Sequence, residues 1–249
     1  MNYQEFLRKI CKIKAMGYVP SHRKGPTGIG KTLEDLLEIT ENNIAGPDFA
    51  IYELKSARKE TASMLTLFTK APQPGNANRK LLEVYGYQQR KVPADYKQVS
   101  LNGEEVENQN IPLKEKELHT TIDAAKPNSL NLKLEVKEGR VWIDNEKNVE
   151  AYWEYAVLRE AFEKKYHRLI YVLADYKKEK RQEYFWYNEA FLLHGFSFER
   201  FSELIKEGKM KVDIRIGHYA DGRLHDHGTG FRIMPKYLPK CFENIEQIL

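Results

Sequence analysis

Cysteine is scarce: Cys11 and Cys241 are the only two in 249 residues, and they stand near opposite ends with no C-x-x-C spacing. This excludes a disulfide-stapled secreted scaffold and a zinc-finger module, and a reducing cytoplasm is the expected compartment. Long apolar runs are also missing. The longest, such as LIYVLA at 169–174, fall far below the ~20 residues of a membrane span. The N-terminus MNYQEFLRKICKIKAMGY is broken by charge throughout, so neither export nor membrane insertion is expected. Charge of one sign does not dominate. The net charge of +4 permits a nucleic-acid partner without requiring one. With 41% hydrophobic residues the chain has enough apolar side chains for a real core, as one large domain or two lobes.

Periodicity supplies the elements. Tyr3, Phe6, Leu7, Ile10 and Cys11 recur at helical spacing, which predicts a helix over 3–15. A short helix is predicted at KTLEDLLEI, with Thr32 and Asp35 at capping-box spacing. DFAIYELKSA alternates as a strand, and SMLTLFTK is expected to pair with it as a hairpin; a second hairpin turns at Glu138-Gly139. A helix at 148–165, strands at RLIYVLADY and EYFWYNEAFLL, a helix at FERFSELIKEG and strands at KVDIRIGHY and FRIM follow, and a helix is expected over 235–249. The order is mixed α and β without a repeat. An α/β or α+β arrangement of helices around a sheet is the class this predicts.

Gly25-Pro-Thr-Gly-Ile-Gly-Lys-Thr32 matches the pattern G-x-x-x-x-G-K-[ST] of a nucleotide-binding loop. Such a loop works because a buried strand delivers it to a helix N-terminus. Upstream lies AMGYVPSHRK, basic and interrupted by Pro20, with no apolar strand. The match therefore reads as a glycine turn with a basic prefix, and no nucleotide cofactor is expected.

The next segment carries chemistry. In GPDFAIYELKS, Asp48 precedes Glu53-Leu54-Lys55, and on a strand 53 and 55 share one face. Two carboxylates and a lysine at one edge suit Mg²⁺-dependent phosphodiester hydrolysis, because Mg²⁺ takes hard oxygen ligands and keeps its waters. Lys55 can orient or help deprotonate the attacking water. Glu34, one helix earlier, can complete the shell. The same string also arises as a solvated strand face.

Near the C-terminus His218, His225 and His227 fall within ten residues, beside Asp213, Arg215, Arg223, Asp226 and Arg232. Zinc binding is one reading, and a salt-bridged polar loop another. The preferred one is base recognition: Arg donates bidentately to guanine N7 and O6, an acid accepts from cytosine N4, and His does either.

Taken together, RKGPTGIGKTLEDLL, GPDFAIYELKS, SMLTLFTKAP and VDIRIGHY…HDHGTGFRI resemble the MvaI/BcnI family of type II restriction endonucleases, PD-(D/E)xK enzymes related to the nickase MutH, with the likeness nearer to the MvaI branch. The resemblance implies a restriction-endonuclease-like core and two lobes around a DNA cleft, a catalytic lobe at 1–165 and a recognition lobe at 166–249. It assigns Glu34, Asp48, Glu53 and Lys55 to catalysis, with Asp48, Glu53 and the carbonyl of Leu54 as ligands of one or two Mg²⁺ ions, for which Mn²⁺ can substitute. It assigns Asp213, Arg215, His225, Asp226, His227 and Arg232 to double-stranded DNA. A bacterial monomer acting on CC-N-GG sites by sequential nicking, beside a companion methyltransferase, is the expected biology. A strand-specific nickase and a non-catalytic DNA-binding module are the alternatives.

Overall fold

Why the chain forms two packed sheets is clearest at RLIYVLA, where both faces are apolar. Leu169 and Tyr171 point into one core, Ile170 and Val172 into another. A strand buried on both sides reads as a continuous apolar run. The computed structural model describes residues 1–39, 48–60, 63–88, 116–218 and 223–249. Pro47 and almost all of the polar stretch at 100–116 lie outside the described residues.

The chain starts with α1 (Tyr3–Ala15), capped by Asn2 Oδ1 accepting from the Glu5 N–H at 2.9 Å, then β1 (Val19–Pro20) and α2 (Gly28–Leu37). Next come β2 (Tyr52–Arg58), β3 (Leu65–Thr69), α3 (Ala77–Tyr85), β4 (Tyr87–Gln88) and β5 (Lys116–Ile122). The hairpin β6 (Lys133–Lys137) and β7 (Arg140–Asp144) turns at Glu138-Gly139, both at positive φ, and leads to β8 (Tyr152–Glu154) and α4 (Tyr155–Glu163). The rest is β9 (Arg168–Glu179), β10 (Gln182–Phe196), α5 (Phe198–Lys206), β11 (Met210–His218), β12 (Leu224–Asp226), β13 (Gly230–Ile233), a 3-10 segment (Pro235–Cys241) and β14 (Phe242–Gln247).

The first sheet runs β1-β10-β9-β2, with β14 also on β10. In it β2 lies parallel to β9, with Glu53 opposite Leu169 and Lys55 opposite Tyr171. Helices α1 and α2 cover one face through Phe6, Ile10, Leu33 and Leu37. The other face shares a larger core, including Phe68, Phe162, Phe201 and Phe231, with the second sheet, ordered β3-β13-β11-β5-β4 with β12 on β11. Each such aromatic contributes roughly 1.5–3 kcal/mol by leaving water. The third sheet is β6-β7-β8.

Four expectations are corrected. The helix expected over 148–165 begins only at Tyr155, because Tyr152–Glu154 pairs with β7 as β8. SMLTLFTK does not pair with the preceding strand: β3 pairs with β13, and Phe68 stacks on Phe231 at 4.9 Å, while β2 takes the apolar β9 as partner. Residues 235–249 are not one helix, because Pro239 interrupts a 3-10 turn and β14 continues as a strand on β10. The capping box at Thr32 and Asp35 does not form, since α2 begins at Gly28. The first sheet takes β9, β10 and β14 from beyond residue 165, and the second takes β3 and β5 from before it. Each of these two sheets therefore draws strands from both sides of residue 165.

Candidate active site

Six residues of extended chain span ~20 Å, so Asp48 reaches Leu54 only because the backbone folds back. Phe49 and Tyr52 exchange backbone hydrogen bonds at 3.1 and 2.8 Å around Ala50, whose φ is +48°. Phe49 is held there by stacking on Phe6 and Tyr52. The turn lays Asp48 beside the end strand β2, and its Oδ2 accepts from the Leu54 N–H at 2.7 Å. Leu54 points into the α1/α2 core, whereas Glu53 and Lys55 lie on the opposite face.

Glu53 is fully buried. Lys55 Nζ donates to its Oε1 and, at 3.5 Å, to the Leu54 carbonyl. A second ammonium, that of Lys165 just after α4, sits 3.1 Å from the same Oε1. The other oxygen, Oε2, is buried without a hydrogen-bond partner. Burial pushes the Glu53 carboxyl above the ordinary carboxylate range, Lys55 and Lys165 pull it down, and Asp48 adds to the rise. The buried Tyr166 hydroxyl donates to the Leu67 carbonyl at 2.6 Å and is itself pushed up by burial and by Glu53 and Asp48.

Glu34 comes from α2. Its Oε1 and the Ser56 hydroxyl both lie near Gly30. With Arg23, Lys31, Lys55, Arg58 and Arg232 it lines a cleft of about 390 Å³. The cleft reaches Lys55 and Leu54, while Glu53 lies behind them, toward Lys165. The structure thus brings Asp48, Glu53, Leu54 and Lys55 together and sets Glu34 on the cleft that Leu54 and Lys55 border.

The base-reading candidates cluster on β11–β13. Asp213 is buried on β11. Its Oδ1 accepts from Thr121 Oγ1 at 2.8 Å, and its Oδ2 lies 2.8 Å from Arg215 Nε and 2.9 Å from Arg232 Nη1. Arg215 is half-exposed, whereas Arg232 is mostly covered and donates to the Met64 carbonyl at 3.2 Å. The His225 and His227 rings are 4.0 Å apart, and the His227 N–H donates to the Arg215 carbonyl at 3.0 Å. Asp226 accepts from Asn78 Nδ2 of α3 and from the Gly228 N–H, both at 2.7 Å, which ties this loop to α3.

Comparison with known proteins bears on this geometry. The sequence model of the MvaI/BcnI restriction endonuclease family matches residues 7–242. The chain belongs to this family. It is therefore a type II site-specific deoxyribonuclease with a restriction-endonuclease-like fold. Among solved structures, the restriction endonuclease MvaI in complex with its cognate DNA substrate is 30% identical over 100% of both chains, with a TM-score of 0.74. MvaI in the absence of DNA is 30% identical over 100% of this chain and 99% of that one, with a TM-score of 0.56. No curated protein sequence matches.

Enzymes of this family use divalent metal ions, and the residues present fit one. Among the described residues no three His, Cys, Asp or Glu side chains gather as a cluster. The donors on offer are hard oxygens, as Mg²⁺ requires: Asp48, Glu53 and the Leu54 carbonyl. A buried carboxylate oxygen without a partner is costly unless a cation completes it, and Glu53 Oε2 is such an atom. Sequence reasoning missed Lys165 and Tyr166, which reach Glu53 from over a hundred positions away; one basic residue in EKKYHR gave no local signal.

Proposed function

We propose that the chain cleaves double-stranded DNA at CC-N-GG sites, CCWGG favoured, in a Mg²⁺-dependent reaction run by Asp48, Glu53 and Lys55. The observation that carries this is the buried Glu53, with Lys55 on one oxygen and the other oxygen left without a partner, on the strand to which Asp48 is tied at the Leu54 N–H. Asp48, Glu53 and the Leu54 carbonyl would hold Mg²⁺, which when bound supplies Lewis-acid polarisation of the scissile phosphate and a water of lowered pKa. Asp48 fixes the edge of β2 through the Leu54 N–H, so the ligand oxygens stand in a set relation to each other. Lys55 orients the attacking water and offsets charge on the phosphate. In-line attack on phosphorus breaks the bond to O3′, leaving a 5′-phosphate and a 3′-hydroxyl. Glu34, across the cleft from Lys55, completes the polar wall.

The second sheet is the base-reading side in this proposal. Asp213 holds the Arg215 and Arg232 guanidiniums on one oxygen, which supports aiming a fork at guanine N7 and O6. His225 and His227, side by side on the β12 loop, are the adjacent readers, and Asp226 holds that loop in place. The outer G·C pairs of CC-N-GG match this chemistry. The higher TM-score against the DNA complex supports a cleft already shaped for duplex. In this proposal the chain acts, as the family resemblance implies, as a monomer whose one D-x4-E-x-K set nicks each strand in turn; the companion methyltransferase need not bind it. A MutH-like nickase is the second reading, favoured by the same single set.

The test is digestion of a plasmid of known sequence with Mg²⁺ or EDTA and mapping of the ends. Discrete Mg²⁺-dependent breaks at CC-N-GG are expected, and Lys55→Ala is expected to lose cleavage by roughly 10² or more while still binding the site. Wild-type cleavage by Lys55→Ala would sink the assignment of Lys55.

A further inference from the structure

One carboxylate oxygen carrying two ammonium groups is more than hydrolysis needs. Lys55 stands two positions along the same strand and also donates to the Leu54 carbonyl, so it is built into the site. Lys165 differs. It comes from the connection between α4 and β9, its ammonium meets Glu53 Oε1 at 3.1 Å, and its side chain is 34% exposed, enough for a flexible four-carbon stem to swing into solvent. Without metal the arrangement balances: Asp48 and Glu53 against Lys55 and Lys165. A dication added beside Glu53 Oε2 would face both ammonium groups, and the repulsion falls on the one free to leave.

The onward position of that ammonium is also visible. Lys165 is followed by Tyr166, His167 and Arg168, which with His194 and a single acid, Glu163, line a cavity of about 420 Å³. His167 and Arg168 are exposed. Such a basic rim attracts an anionic backbone.

We propose that Lys165 is a displaceable countercharge: it neutralises Glu53 in the metal-free protein, leaves when a divalent cation binds Asp48 and Glu53, and passes to a phosphate oxygen of the bound DNA. Metal loading and grip on the DNA backbone are thereby coupled through one positioning residue. The inference rests on the proposed metal site, so its test is arranged to tell the two apart.

The experiment is Mn²⁺ binding to the full-length, DNA-free protein at pH 8, read by the electron paramagnetic resonance of free and bound Mn²⁺. Wild-type binding that is lost in Glu53→Gln establishes the site. Lys165→Met is then expected to bind Mn²⁺ about tenfold more tightly, since a competing cation is gone. Lys165→Arg, which keeps the charge, is expected to stay near wild type. The gain in DNA affinity on adding metal should shrink in Lys165→Met and persist in Lys165→Arg. Equal or weaker Mn²⁺ binding by Lys165→Met would overturn the role of Lys165 and leave the metal site standing; Mn²⁺ binding indifferent to Glu53→Gln would remove both. Should Lys165→Met fail to fold, ¹³C-methylated lysines of the wild-type protein report instead, with the Lys165 signal assigned through Lys165→Arg. Its movement on adding Mg²⁺ supports displacement, and a signal that stays still overturns it.

Discussion

Glu53 is a buried acid whose ionised form is disfavoured by desolvation and only partly rescued by Lys55 and Lys165. Its carboxyl in the folded, metal-free protein therefore titrates above its unfolded value. A raised group stabilises the fold when protonated, and that contribution is lost as pH rises through the folded value. Glu53→Gln mimics the protonated form, so in EDTA it should melt a few degrees above wild type at pH 8, with the gap closing as pH falls below the raised value. Calorimetric melts across pH check this; a gap that widens toward acid would reverse the sign. The residue types were legible because Asp48, Glu53 and Lys55 sit in one short string with strand periodicity. What reaches Glu53 from outside that string was not: Lys165 arrives through the parallel β2–β9 pairing, and no local spacing encodes it.

At the scale of elements, Gly28 shows what the glycine-rich loop does in packing. A Cβ at Gly28 would lie 2.3 Å from the Arg23 carbonyl and 2.5 Å from Ser21 Oγ, so glycine is required for the basic loop to pack on the start of α2. Thr32 and Asp35 also serve this loop rather than capping a helix. Thr32 Oγ1 accepts from the His22 N–H at 2.9 Å, and Asp35 pairs with Lys31 at 2.8 Å and His22 at 2.9 Å, contacts that hold its carboxyl below the ordinary range. Gly28→Ala is expected to destabilise the protein by ~1–3 kcal/mol through overpacking and to lower cleavage by displacing α2, which carries Glu34. Urea unfolding checks this, and an unchanged midpoint would count against the close approach. Elements set by neighbours in sequence were legible: α1, the β6–β7 hairpin, β9, β10 and α5. Pairings set across the chain were not. The apolar β9 captured β2, and stacking of Phe68 on Phe231 drew β3 to the second sheet.

For the whole molecule, the consequence of that exchange is a cleft walled by both sheets, with Lys55 and Arg58 on one side and Arg232 on the other. In the proposed monomer one D-x4-E-x-K set serves both strands, so a supercoiled plasmid should pass through an open circle before becoming linear. A time course on an agarose gel reads this. Linear product without the open circle, at protein below the DNA concentration, would mean that two chains act together.

Arg232 joins two neighbourhoods: its guanidinium shares Asp213 with Arg215, and it also borders the cleft and braces the Met64 carbonyl. With Asp213 and Arg215 in the proposed base-reading role, the letters the enzyme reads and the speed at which it cuts are therefore not separate inheritances. A lineage drifting toward a new target by altering Asp213 or Arg215 would disturb the reaction chamber in the same mutational step, and repairing the damage would take a second change on β3 or α2. Preference among DNA targets should thus change in paired jumps, with single-step intermediates that cut poorly everywhere.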